Sequence, residues 1–296
     1  MQKVWSISGR SIAVSALALA LTACQSMRGP EPVAQADIPT GYIGSTTGPS
    51  VAEQGYKDFF ADQRLVQVIE LALANNRDLR TATLNIQRAQ QAYQISENNQ
   101  LPTIGASGSV LRQDTLSSNK PMTTYNVGLG VTAYELDFWG RVRSLKDNAL
   151  DSYLATQSAR DATQISLIGQ VAQAWLSYSF ANANLKLADQ TLKAQLESYN
   201  LNKKRFDVGI DSKIPLGQAQ ISVETARNDV AAYKTQMSQA QNLLNLLAGQ
   251  NIPQQLLPNH MIKNISSETS FATGLSSDLL NHRPDLKAAE YQLKAA

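Results

Sequence analysis

The chain has 296 residues, of which 43 % are hydrophobic and 17 % charged, and its formal net charge is +2. Beyond the N-terminal segment this composition provides neither the long apolar runs of membrane helices nor a Lys/Arg cluster for nucleic acid, so a nucleic-acid partner is not expected. A single cysteine excludes a disulfide within the chain.

The N-terminal segment has the pattern of a secretory signal. Lys3 and Arg10 form a basic region, and residues 12–21 form an apolar run that is too short to span a bilayer. We therefore predict a signal peptide at residues 1–23. Its removal takes away two of the 26 basic residues, so the mature chain carries 24 basic and 24 acidic residues and no net charge.

The only cysteine follows Leu21, Thr22 and Ala23, and this quartet resembles the lipobox of bacterial lipoproteins. The resemblance implies that Cys24 receives a diacylglycerol and that the new amino terminus is acylated, for example with palmitate. Gln25 stands where aspartate would signal inner-membrane retention in similar lipoproteins, so the outer membrane is favoured. The alternative is a buried cysteine in a signal remnant.

Residues 24–55 are rich in Pro, Gly, Ser and Thr, which predicts an extended tether. Two short helices are predicted within residues 56–100. The first carries apolar residues from Leu65 to Leu73, and the second starts near Asp78 with the 3-4 spacing of a coiled coil. That spacing is seen at Leu79, Ala82, Ile86, Ala89 and Tyr93.

Residues 101–136 are predicted to form a β-hairpin whose second strand alternates in polarity. A transmembrane strand needs about 9 to 11 residues with this alternation. We expect the residues Thr124, Asn126 and Thr132 to face a lumen, and the residues Val127, Leu129 and Val131 to face lipid. The first strand covers residues 104–111, and the loop between the strands contains Asp114, Ser117, Ser118, Asn119, Lys120 and Pro121.

Residues 137–249 are predicted to form a long antiparallel helical hairpin. Asp137 can cap a helix from about Phe138 to Asp207, which at 1.5 Å per residue is about 100 Å long. Its predicted seam contains Tyr178, Asn182, Leu185, Asp189, Leu192, Leu196 and Tyr199. After a turn at residues 208–212, the second helix repeats apolar residues at heptad spacing from Leu216 to Leu247. The alternative is a long two-stranded coiled coil.

Residues 250–274 are predicted to connect this hairpin to a second structural repeat. A shift of about 207 residues, by the numbering, aligns Asp78 and Leu79 with Asp285 and Leu286. Residues 275–296 are therefore expected to begin the second repeat, and we expect a longer protein whose second strand pair and second long helix lie beyond Ala296.

Together these features resemble the TolC/OprM type of outer-membrane efflux channel, also called the outer membrane factor family, and its lipidated members in particular. The resemblance is carried by the segments 65–79, 101–103, 135–141 and 205–210. It implies a mainly α protein with a membrane β-hairpin. It also implies a homotrimer whose strands close a 12-stranded barrel above a periplasmic helical tunnel, without a cofactor.

The same resemblance implies the partners and the transport function. Relatives receive drugs from an inner-membrane pump through a periplasmic adaptor, which supports antibiotic resistance. Val208, Gly209 and Ile210 match the turn where the adaptor docks in that family. A turn without any partner is the alternative reading of these three residues.

Two other classes of protein remain open from the residues alone. The first is a lipid-anchored periplasmic coiled-coil adaptor or scaffold. The second is a cell-wall acyl-transfer enzyme, for which Ser117 and Lys120 form a Ser-x-x-Lys match without the accompanying motifs. His260 and His282 lack metal-ligand spacing, so neither a catalytic nor a metal site is expected.

Overall fold

The structure is a computed structural model that describes residues 54–113, 121–267 and 277–296. The described helices are α1 (Tyr56–Phe59), α2 (Gln63–Asn75), α3 (Arg77–Asn98), α4 (Arg141–Asp207), α5 (Lys213–Ala248) and α6 (Pro284–Ala295). The described strands are β1 (Thr103–Gln113) and β2 (Met122–Ala133), and two 3-10 helices cover Gln254–Leu256 and Ser277–His282. The described part of the chain is thus mainly α with one β-hairpin, as the sequence predicted.

Several predicted features lie outside the described residues. These are the signal peptide, Cys24, nearly all of the tether and the hairpin loop at 114–120. Parts of the two C-terminal segments, at residues 268–276, are outside them as well. The assignments at these positions stay predictions.

The described residues divide into two compact units. One contains residues 84–158 and 287–296, which include the β-hairpin. The other contains residues 54–83 and 159–286, which include α2, α5 and the larger part of α4.

The second unit is built around one hydrophobic core. Leu65, Ile69 and Trp175 are fully buried in it, together with Leu244 and Ala248 of α5. Burying large apolar side chains of this kind contributes about 1.5–3 kcal/mol each. The core therefore joins α2, α4 and α5, and the apolar spacing predicted Leu65, Ile69 and Leu244 in it but not Trp175.

Asn76 is the buried polar residue between α2 and α3. Its Oδ1 accepts a hydrogen bond from Leu79 N (2.9 Å), which caps α3, and its Nδ2 donates to the Leu247 carbonyl near the end of α5 (2.9 Å). A buried amide is tolerated because both of its ends are paired. Asn76 thus ties the α2–α3 corner to α5.

Asp62 begins α2 as its N-cap. Its carboxylate accepts from Arg64 N (2.9 Å) and from Nε (3.1 Å) and Nη2 (2.6 Å) of the Arg64 side chain. The hydrogen bond from the Arg64 side chain holds the pKa of Asp62 below its usual value. The cap is therefore a charge-assisted, bidentate contact.

The long helix α4 starts later than the sequence predicted. Helix was expected from about Phe138, but it begins at Arg141 because Gly140 adopts a positive φ of 76° and separates residues 137–139 from the helix. Asp137 still caps the helix, since its Oδ2 accepts from Arg143 N (3.0 Å). The helix has 67 residues, so the predicted length is confirmed, and it ends at Asp207 as predicted.

The heptad pattern of α5 is confirmed by burial. The positions predicted from Leu216 to Leu247 are all buried or half-buried, namely Leu216, Ala219, Val223, Ala226, Val230, Tyr233, Met237, Ala240, Leu244 and Leu247. The predicted seam of α4 is wrong at Asp189, which is exposed, whereas Ala181 and Ala188 are buried. The carboxylate of Asp189 thus keeps its hydration, and a small apolar residue takes the buried position beside it.

Asn182, another residue of the predicted seam, binds the segment that follows α5. The stretch after α5 has little regular structure, so its carbonyl groups need side-chain partners. Trp175 Nε1 donates to Leu256 O (3.1 Å), Ser179 Oγ to His260 O (3.0 Å) and Asn182 Nδ2 to Pro258 O (3.0 Å). These three residues lie on one face of α4 and hold the segment in place.

Candidate functional site

The β-hairpin has one apolar and one polar face. The antiparallel register runs from Thr103 opposite Ala133 to Gln113 opposite Met122. Because residues that pair directly share a face, one face is mostly apolar and the other is mostly made of small or polar residues. The apolar face contains Ile104, Ala106, Gly108, Val110, Tyr125, Val127, Leu129 and Val131, and Arg112 and Thr123 follow at its loop end. The polar face contains Gly105, Ser107, Ser109, Thr124, Asn126, Gly128, Gly130 and Thr132, and at its loop end it also carries Leu111, Gln113 and Met122.

The six residues assigned from the sequence divide between these faces as expected. Thr124, Asn126 and Thr132 share the polar face, and Val127, Leu129 and Val131 share the apolar face. Val127 is 90 % exposed in the isolated chain. The register therefore places the six residues in the two predicted groups. Contact of one face with lipid and of the other with a lumen stays a prediction.

The segment after β2 presents exposed aromatic residues next to paired charges. Tyr134, Leu136, Phe138 and Trp139 are all exposed, and the last two form an edge-to-face pair at 5.9 Å. Exposed Tyr and Trp beside a transmembrane strand are typical of the membrane–water interface. The sequence analysis did not assign a role to these side chains, although their clustering at the strand end was visible.

The charges in this segment neutralise one another. Arg141 Nε donates to Glu135 Oε1 (2.8 Å), and its Nη2 contacts the other oxygen of that carboxylate. Burial acts to raise the pKa of Asp137, but the backbone N–H groups of Arg143 and Val142 hold it below its ordinary value. The strand end is thus fastened to the start of α4 by acidic residues that stay ionised.

The turn between α4 and α5 is a Schellman motif that exposes apolar side chains. Ile210 N donates to Arg205 O (2.9 Å) and Gly209 N donates to Phe206 O (2.9 Å), which requires the positive φ of 75° at Gly209. Val208 and Ile210 are 70 % and 69 % exposed. The structure therefore brings the predicted docking residues together at one turn.

Ile214 is a further apolar residue of this turn that the sequence analysis missed. It is 71 % exposed and lies in the first turn of α5, where Ser212 accepts from its backbone N–H. An Arg205–Asp211 ion pair (2.9 Å) braces the turn, and Asp207 raises the pKa of Lys203 above its usual value. Residues 205–214, called the docking turn below after this prediction, are thus held by hydrogen bonds and an ion pair, with apolar side chains at the surface and charged residues beside them.

Both helices of the hairpin carry a second exposed stripe at coiled-coil spacing. On α4 it consists of Phe180, Asn184, Leu187, Thr191, Ala194, Ser198, Leu201 and Arg205. On α5 it consists of Ile214, Gln218, Ile221, Thr225, Asn228, Ala232, Thr235, Gln239, Asn242 and Leu246. Arg205 is the one charged member. These second stripes suit contact with further helices, because 3-4 spacing aligns side chains along one line.

The structure offers no support for the enzymatic alternative within its described residues. In those residues no group of three His, Cys, Asp or Glu side chains could hold a metal ion. Ser117 and Lys120 lie outside the described part of the chain. Among the helices that are described, none combines the length and the apolar character needed to cross a bilayer.

Comparison with known proteins gives consistent matches. A family model described as "Outer membrane efflux protein" matches residues 68–250. The antibiotic efflux pump outer membrane protein ArpC of Pseudomonas putida is 39 % identical over 280 residues, which are 91 % of this chain and 57 % of that protein. The outer membrane protein OprJ of Pseudomonas aeruginosa is 35 % identical over 95 % of this chain and 61 % of its own length.

A solved structure agrees with these relatives. The open-state MtrE outer membrane channel of Neisseria gonorrhoeae has a TM-score of 0.78 and 35 % identity, and the match covers 92 % of this chain and 61 % of that one. This chain therefore spans about three-fifths of the length of the proteins that it matches.

Proposed function

Because the chain belongs to the outer membrane efflux protein family, we propose that it forms part of an outer-membrane channel that passes drugs to the cell exterior. The family is not an enzyme family, and its named members are outer-membrane proteins. The observation that carries the proposal is the two-faced β-hairpin. Its apolar face is continuous over four cross-strand pairs, from Ile104 with Val131 to Val110 with Tyr125.

The hairpin alone cannot satisfy the demands of a bilayer. Every backbone N–H and C=O in the hydrocarbon region must be paired, and the two outer edges of a two-stranded sheet are open. We therefore propose that several chains close one barrel as a homotrimer, with Val127, Leu129 and Val131 toward lipid. Thr124, Asn126 and Thr132 would then line the lumen, where small neighbours such as Gly128 and Gly130 leave space for passage.

The second stripes of α4 and α5 support the same assembly. The seam between the two helices is already occupied, yet each helix has another line of side chains at heptad spacing, in which Arg205 is the one charged residue. Helices with two such lines pack side by side into a wall instead of an isolated pair. We propose that this wall is the periplasmic tunnel.

The barrel assignment can be tested with two adjacent residues of opposite face. In Val127→Arg the cation meets lipid, which costs about 2–4 kcal/mol at the bilayer centre. We expect this variant to lose most of its oligomer from the outer-membrane fraction. Asn126→Arg should insert normally and change single-channel conductance in planar bilayers. Equal insertion of the two variants would contradict the assignment.

The pump partners are part of the proposal. We propose that the docking turn receives a periplasmic adaptor, which links the channel to an inner-membrane pump. Support comes from the three exposed apolar residues Val208, Ile210 and Ile214 on a turn that backbone hydrogen bonds close. In cells that express the protein with an adaptor, Val208→Ser with Ile210→Ser should reduce crosslinking to the adaptor without lowering the trimer content.

The matched control for docking is Ile165→Ser, since Ile165 is similarly exposed but lies elsewhere on α4. It should leave crosslinking unchanged. If the double variant of the turn crosslinks like the unaltered protein, the docking assignment is wrong, although the barrel proposal would stand.

We further propose that Cys24 is lipidated and that the lipid anchors the mature chain to the outer membrane. The support is the lipobox-like position of this single cysteine. Acyl chains contribute about 0.8 kcal/mol per buried methylene, so several chains anchor a protein stably. Metabolic labelling with an alkyne fatty acid should mark the protein and should not mark Cys24→Ala.

A further inference from the structure

We infer that the loop end of the β-hairpin carries a binding site for the phosphate of a membrane-lipid headgroup, with Arg112 as its central residue. The inference rests on the proposed membrane hairpin. Arg112 is the one charged residue in the sequences of β1 and β2. By the register it pairs with Thr123 and shares the apolar face with Val110 and Tyr125.

The position of Arg112 along the strand agrees with the edge of a hydrocarbon layer. It lies eight residues beyond Ile104, which is about 26 Å at about 3.3 Å per residue. With a strand tilt of about 40°, this is about 20 Å along the membrane normal, close to the roughly 25 Å height of the apolar band in such barrels. The guanidinium can therefore reach the headgroup region while its methylene stem covers apolar surface.

The site has more than one donor. Thr123 lies directly opposite Arg112, and Tyr125 follows on the same face, opposite Val110. All three side chains are exposed in the isolated chain. A guanidinium, a threonine hydroxyl and a tyrosine hydroxyl on one sheet face can together donate to the oxygens of one phosphate, and Arg does so bidentately.

At the other end of the hairpin the arginine side chains are paired within the protein. There, Arg141 and Arg143 are each paired with a carboxylate, Glu135 and Asp137 respectively. Their guanidinium groups are thus committed within the protein. The sequences of β1 and β2 contain no carboxylate to pair with Arg112. Charge complementarity therefore favours an anionic lipid at the loop end of the apolar face.

The experiment uses the assembly extracted from the outer membrane in mild detergent. Native mass spectrometry would measure retention of phosphatidylglycerol and of diacylglycerol with the same acyl chains. The unaltered protein should retain phosphatidylglycerol in about tenfold preference to diacylglycerol. Arg112→Gln should abolish most of this preference, whereas Arg112→Lys should retain part of it. Gln113→Ala is the control, because this neighbour lies on the opposite face.

Two results would overturn the inference. One is an unchanged lipid preference in Arg112→Gln. The other is that inorganic phosphate displaces phosphatidylglycerol at equal concentration, which would mean that the lipid face contributes nothing. Insertion and conductance are measured on the same preparations. If the unaltered protein is absent from the outer membrane, the proposed function fails as well; if Arg112→Gln inserts, conducts and binds lipid normally, the headgroup site alone is wrong.

Discussion

At the scale of single residues, two glycines with the same backbone conformation have different surroundings. Gly249 ends α5 with φ of 68°, and Gly209 forms the docking turn with φ of 75°. A Cβ added at Gly249 would lie 2.4 Å from the Asn75 carbonyl oxygen, whereas one added at Gly209 would meet nothing within 4 Å. The positive φ favours glycine at both positions. At Gly249 glycine is favoured also because the backbone of Asn75 lies too close for a Cβ atom.

We predict that Gly249→Ala destabilises the protein more than Gly209→Ala. The positive φ costs about 1 kcal/mol at either position. At Gly249 the backbone of Asn75 must also move, so we expect a total loss of about 2–4 kcal/mol. Urea unfolding of both variants measures this difference. Equal midpoints would show that the α2–α5 contact adjusts without cost.

The Asp62–Arg64 cap predicts a pH dependence. The pKa of Asp62 is lowered in the folded protein, so its stabilising effect is complete above the ordinary pKa of about 3.9. The effect disappears as the pH falls through the lower, folded pKa. The free energy of unfolding should therefore be higher for the unaltered protein than for Asp62→Asn. This difference should be constant at pH 6–8 and should shrink below about pH 4. An excess that does not vary with pH would contradict the role of the charge.

At the scale of secondary-structure elements, α4 shows how a seam is chosen. Periodicity alone allowed Asn182 and Asp189 as seam residues, because each stands four residues after an apolar residue, Tyr178 or Leu185. The structure buries Ala181 and Ala188 and directs Asn182 to the Pro258 carbonyl. The chemistry of the side chain therefore decided, beside the spacing, which residues are buried in this seam.

The corrected seam predicts that substitutions at two neighbouring residues change the stability to different extents. Ala188→Glu places a carboxylate in a buried position and should lower the stability by about 2 kcal/mol or more, because the charge loses its hydration. Asp189→Ala should change the stability by less than about 0.5 kcal/mol, since the residue is exposed. Thermal unfolding followed by circular dichroism compares the two. A larger loss in Asp189→Ala would restore the seam that the sequence predicted.

At the scale of the whole molecule, the chain exposes three surfaces that suit contact with neighbouring molecules. The hairpin face is apolar, the second stripes combine apolar with polar residues, and the docking turn exposes three apolar side chains. Extended exposed surfaces of this kind are typical of interaction sites. The proposed assembly accounts for all of them, because in it the hairpin face meets lipid, the stripes meet further helices and the docking turn meets a partner protein.

We predict that the second stripe of α4 stabilises the oligomer and not the single chain. Leu187 and Leu201 are 62 % and 58 % exposed, so changing both to Glu should leave the helix content unchanged while lowering the oligomer fraction on native gels several-fold. Lys193→Glu with Asn200→Glu, which add acids at exposed positions of α4 outside the stripe, serve as the control. Comparable oligomer fractions in the two double variants would remove the stripe from the interface.

The sequence by itself determined the elements and their faces. Helix lengths, the heptads of α5, the strand alternation and the glycine turn all follow from local rules, because the spacing of apolar residues and the backbone freedom of glycine act over a few residues. Grouping the six hairpin residues into two faces also followed, since side chains along a strand alternate with a period of two.

Tertiary structure alone decided which of several compatible residues are used. Ala188 is buried whereas its neighbour Asp189 is exposed, and Asn76 joins two segments that lie 171 residues apart in the chain. These outcomes depend on which groups meet after the chain has folded. Desolvation and hydrogen-bond satisfaction are properties of the packed neighbours, so no local pattern contains them.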